Sequence, residues 1–165
     1  MEGQITGKKL MKLQELLAAL PSFCADFFRG IEPATSSMTR LSYAYDISTF
    51  FDFLRKLKPE LEKLSVENIS LEQLCAVTIQ DLERYLEYLK YRPDDPEHKN
   101  VNKEQGIKRK FFSLKSFFGY FYRTGQIKTN PTLSMQVPKI REKEIIRLNQ
   151  DEIKTLLKEA ESGSG

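Results

Sequence analysis

The stretch IKRKFFSLKSFFGYFYRTGQIKTNP, residues Ile107 to Pro131, decides the fold, because it puts an apolar stripe and a dense set of cations on one rod. Ile107, Phe111, Leu114, Phe118 and Phe121 recur at alternating steps of four and three, the spacing that lines up side chains along one face of an α-helix. That face is expected to be buried. Lys108, Arg109, Lys110, Lys115 and Arg123 fall on the flanks and the far side, and Lys108 and Lys115, seven residues apart, nearly superimpose in projection. A helix built this way has one face for a core and another suited to a polyanion. Gly125 stands where a left-handed terminal residue is wanted, which predicts a helix from about Asn102 to Thr124.

Working upstream, RPDDPEHKN reads as a polar, turn-rich loop, and before it Ile79, Leu82, Tyr85, Leu86 and Leu89 mark a helix to about Tyr91 that Thr78 can cap. Residues 60 to 77 carry short apolar groups separated by acids and serine, consistent with a loop and one short helix. A long helix is predicted from a cap at Ser36 or Ser37 to about Leu57. Thr39, Tyr43, Asp46, Ile47, Phe50, Phe53, Leu54 and Leu57 share its broad face. A first helix covers about Leu13 to Gly30, broken or restarted at Pro21, which removes an internal amide donor. Downstream, TNPTLSMQVPKIREKEII has two prolines and no sustained helical period, so it reads as an extended linker before a last helix, Gln150 to Glu161, capped by Asn149.

The chain has 165 residues, 40% hydrophobic and 30% charged, with 11 Phe, 7 Tyr and no Trp, which suits one globular domain with a real core, or one domain plus the beginning of another. Net charge is only +3, yet residues 101 to 147 hold 11 basic and 3 acidic side chains, while 58 to 100 hold 6 and 10. A regional basic footprint matters more for nucleic-acid binding than the overall sum. Cys24 and Cys75 match no metal or redox spacing and read as buried free thiols. The apolar run after Lys8, Lys9 and Lys12 is interrupted by Gln14, Glu15 and Pro21, unlike a signal peptide, and no stretch approaches transmembrane length, so cytoplasmic residence is expected.

From Thr39 to Leu54 the residues TRLSYAYDISTFFDFL form the pattern TxxxYxxDIxxFxxFL, and RKFFSLKSFFGYF from Arg109 is followed by TGQIKTNP. In this order the two segments resemble the N-terminal core-binding domain of tyrosine recombinases, the phage integrase family. The resemblance extends from about Ser22 to Glu161 and is weakest between residues 58 and 104. It implies an all-α, SAM-like bundle of about four main helices, followed by an extended linker and the first helix of a truncated catalytic domain. The implied organisation is a flexible tail at 1–12, a core-binding domain at 13–131, an interdomain linker at 132–148 and the start of the catalytic domain at 149–165. It also implies double-stranded DNA at a recombination core site as partner, a parent that cuts and rejoins DNA as a tetramer, and an isolated fragment that is monomeric and binds without cutting. A helical protein-interaction module and a stand-alone DNA-binding regulator are the rivals.

Candidate DNA contacts follow from both lines. Thr39 and Arg40 lie at a helix N-terminus, where a hydroxyl, a guanidinium and backbone amides can face a phosphate. Tyr45 projects away from the apolar face, as a surface tyrosine or a groove contact. Lys108, Arg109, Lys110 and Lys115 supply the basic helix, where the resemblance sets DNA, and Lys139 and Arg141 could continue the track along the linker. His98 is a lone loop histidine, and no tyrosine is nominated as nucleophile. No cofactor, metal site, phosphate-cradling glycine loop or paired-carboxylate site is implied.

Overall fold

The computed structural model describes residues 7–91 and 100–138, with backbone alone for 100–103. The described residues form seven α-helices and no strand: α1 (Gly7–Ala19), α2 (Cys24–Ile31), α3 (Ser37–Leu57), α4 (Pro59–Glu62), α5 (Leu71–Cys75), α6 (Ile79–Tyr91) and α7 (Asn100–Arg123). Four of them are long, as the expected all-α bundle requires: α1 packs on α3, and α3 and α6 pack on α7.

Local chemistry sets the helix ends. At the start of α3 the Thr39 amide donates to Ser36 Oγ at 3.1 Å, so Ser36 is the cap, and Lys58 and Pro59 end the helix and start α4. Around α6, the Thr78 amide donates to Asp81 Oδ2 at 3.0 Å while the Asp81 amide donates to Thr78 Oγ1 at 3.2 Å, a reciprocal box with aspartate as its acid. Lys58 Nζ, 3.0 Å from Asp81 Oδ2, ties that box to the end of α3. Desolvation pushes the Asp81 carboxyl up, but the Thr78 amide and the Lys58 ammonium together outweigh it and hold the group below the usual aspartate range. At the end of α7, Gly125 takes a φ of 78°, and Gln126 and Gly125 donate back to Phe121 and Tyr122 carbonyls at 2.8 and 3.1 Å, the paired bonds of a Schellman ending.

The core is aromatic. Phe27, Phe50, Phe51, Phe117, Phe118, Phe121 and Tyr85 are fully buried, and burying each such ring contributes roughly 1.5 to 3 kcal/mol. Phe117, outside the predicted stripe, joins three helices, standing edge-on to Phe27 of α2 at 5.3 Å and to Phe51 of α3 at 6.0 Å. The stripe on α7 is wider than its four-and-three spacing suggests because α2, α3 and α6 all pack on that helix. Gly30 lets α2 approach α7: a Cβ there would meet the Tyr120 ring at 2.5 Å.

Four expectations change. Helix α1 starts at Gly7 rather than near Leu13, since Leu10, Leu13 and Leu17 extend the helical period and α1 leans on α3. Residues 60 to 77 hold two short helices rather than one: α4 starts at Pro59, already set in φ for a first turn, and α5 is capped by Ser70 and Gln73. The predicted linker starts as core: Asn130 Oδ1 accepts from the Thr132 amide at 3.0 Å and from its hydroxyl at 2.6 Å, forming a single 3₁₀ turn, Pro131–Ser134. Pro131 and Thr132 are buried there against α6 and α7, and one turn is too short to show a period in sequence. Cys24 is buried, and burial pushes its thiol pKa up, whereas Cys75 is exposed at the end of α5 rather than buried. The loop with His98, the rest of the linker and the helix expected at Gln150 to Glu161 lie outside the described residues.

Candidate nucleic-acid interface

The cations of α7 divide according to which side of the rod they occupy. Asp46, on the face that α3 turns toward α7, is only 3% exposed. Arg109 donates to it as a fork, Nη2 to Oδ1 at 2.9 Å and Nε to Oδ2 at 3.4 Å. One helical turn on, Ser113 donates its hydroxyl to Oδ2 at 2.6 Å, and Lys110 Nζ lies 3.8 Å from Oδ1. A carboxylate buried this deeply needs charged partners and hydrogen bonds to offset its lost hydration, and two cations and a hydroxyl meet it. The Lys110 side chain, expected on the solvated side, is buried with only 10% exposed, while that of Arg109 keeps 46% exposed beside α3.

Lys108 and Lys115 differ. They project from the opposite side of α7, both partly exposed, and among the described residues neither forms an ion pair. Glu104 is the one acid in α7. Between the two lysines stands Phe112, 41% exposed, and Gly119 follows one heptad later on the same line. Neither Phe112 nor Gly119 was singled out from sequence. The signal was present, since Phe112 falls off the stripe defined by Ile107, Phe111, Leu114, Phe118 and Phe121.

At the other end of the candidate set, the N-terminus of α3 is already occupied by its own chain. Ser36 takes the Thr39 amide and donates its hydroxyl to Thr39 Oγ1 at 3.1 Å. Arg40 Nη1 donates to the carbonyls of Thr35 and Glu32 at 2.7 and 3.1 Å and to Thr35 Oγ1 at 3.1 Å, and Nη2 donates to Ser37 Oγ at 3.2 Å. That guanidinium laces the turn between α2 and α3. Tyr45 is 46% exposed on the outer side of α3, with Lys12 Nζ of α1 6.0 Å from its ring centre. Thr39, Arg40 and Tyr45 are therefore not joined to Lys108 and Lys115 by a hydrogen bond, ion pair or ring contact among the described residues. Lys139 and Arg141 lie outside those residues. No group of acidic, histidine or cysteine side chains suited to a metal occurs among the described residues, and no helix there is long and apolar enough to cross a membrane.

Sequence comparison finds relatives of one kind. A tyrosine recombinase XerC of Caldanaerobacter subterraneus subsp. tengcongensis is 30% identical over 131 residues, covering 75% of this chain and 35% of that protein. Tyrosine recombinases XerD of Rickettsia bellii and Rickettsia prowazekii are 29% and 28% identical, covering 76% and 82% of this chain and 34% and 37% of theirs. The chain thus spans about a third of the length of these relatives. No protein-family profile and no solved structure matches it.

Proposed function

The chain belongs to the tyrosine recombinase family, and from that premise we propose that its helical bundle is the DNA-binding domain that recognises the core sequence of a site-specific recombination site. The observation that carries this reading is the outer side of α7, where Lys108 and Lys115 flank one line with no ion pair among the described residues. Long cations on a rigid helix, seven residues apart, can each neutralise a backbone phosphate of a duplex. Arg109, half exposed and already oriented by Asp46, is the third candidate contact. Lys110 contributes through the seam with α3, and Arg40 through the turn it laces. In this reading the bundle holds DNA, strand cleavage by the whole recombinase belongs to residues outside it, and Lys139 and Arg141 extend the basic track.

Fluorescence anisotropy with a labelled duplex over a salt series tests the proposal. Log affinity should fall linearly with log salt, and Lys108→Ala with Lys115→Ala should reduce the slope by about 1.8, about 0.9 for each phosphate contact removed. A wild-type chain that binds an acidic protein surface but no duplex would make it a protein-interaction module instead.

A further inference from the structure

Two features of the outer side of α7 have no explanation inside the fold. Phe112 exposes a large apolar ring between Lys108 and Lys115, although each of its stripe neighbours Phe111, Leu114 and Phe118 is buried. Gly119 sits inside the same helix, where glycine is less favourable than alanine, yet a Cβ there would meet only Arg123 Nη1 at 3.8 Å. Gly30, by contrast, is required by the Tyr120 ring against it. So α7 carries an unburied ring and an unforced glycine seven residues apart on one line, bordered by lysines without ion pairs among the described residues.

Resting on the DNA reading above, we infer that Phe112 reads the 5-methyl group of thymine in the major groove and that Gly119 lets a DNA wall close on α7. A major groove admits one α-helix, and thymine presents there the single apolar group of the four bases, which an exposed phenylalanine ring can cover. Lys108 and Lys115 lie within one turn of Phe112 and take the flanking phosphates, fixing the ring's depth. The missing side chain at Gly119 removes the bulk that would hold the sugar–phosphate wall away from the next turn.

The test uses the whole chain and two short alternating duplexes, one of adenine and thymine and one of adenine and deoxyuridine, which have the same charge and differ in the 5-methyl groups. The wild-type chain should bind the thymine duplex about fourfold more tightly, the worth of one buried methyl group. Phe112→Ala should bind both duplexes equally, near the wild-type affinity for the deoxyuridine duplex, with its helicity retained by circular dichroism. Gly119→Ala should raise the melting temperature and still weaken binding to both duplexes, a combination that a purely structural glycine would not produce. Equal wild-type affinity for the two duplexes, or a preference that survives Phe112→Ala, overturns the methyl contact while DNA binding stands. Unchanged affinity of Gly119→Ala overturns the close approach, and binding of neither duplex overturns the DNA reading and this inference with it.

Discussion

The two sides of α7 carry similar residue types in opposite circumstances. On the inner side, Arg109, Lys110 and Ser113 converge on the buried carboxylate of Asp46; on the outer side, Lys108, Phe112 and Lys115 have no such carboxylate among the described residues. A shift of one residue along the helix separates Lys108 from Arg109, and that rotation alone brings a cation within reach of the Asp46 carboxylate of α3. Positive charge on a helix is therefore no measure of what is available to a ligand. Part of it compensates an acid on a neighbouring helix, and the remainder is what a polyanion can meet.

Breaking the inner side should have the largest effect. Asp46→Ala removes the buried carboxylate that Arg109 and Ser113 donate to and that Lys110 pairs with, and should destabilise the fold by about 3 to 5 kcal/mol in urea unfolding. Ser113→Ala removes one donor to the same carboxylate and should cost about 1 to 3 kcal/mol by the same measurement. If both variants unfold like the wild-type chain, the seam contributes nothing and the contrast between the two sides fails.

The Asp81 box sharpens the comparison with a paired acid at the start of α6 rather than in the seam. Its carboxyl is held below its unfolded value, so its stabilisation is complete above about pH 4 and is lost as pH falls through the lower folded value. Unfolding measured from pH 6 to pH 2 should show a shallower acid loss for Asp81→Asn than for the wild-type chain. The smallest effect on stability belongs to the outer side. Lys108→Ala with Lys115→Ala should leave the folding free energy within about 0.5 kcal/mol, even as it flattens the salt dependence of DNA binding.

Much of the framework was legible in the chain. The caps at Ser36 and Thr78, the span of α6 and the left-handed Gly125 all follow from local rules, because each depends on residues within one turn of one another. Elements held by packing were less legible. The Pro131–Ser134 turn rests on α6 and α7 and is too short to carry a period, and in α1 the residues before Leu13 are exposed, so no buried face marks its first turns. Of the candidate contacts, Lys108 and Lys115 stand on the outer side as their projection suggested, while Lys110 turned inward and Arg40 was taken up by carbonyl oxygens.

By itself the sequence determined that α7 is an amphipathic rod rich in cations and that α3 faces it with a broad apolar surface, since helical periodicity needs no knowledge of neighbours. Which cations are spent inside was decided only by the tertiary structure. Asp46 and Arg109 are 63 residues apart in the chain, and a buried charge selects its partners by distance in space, which only the packed helices set.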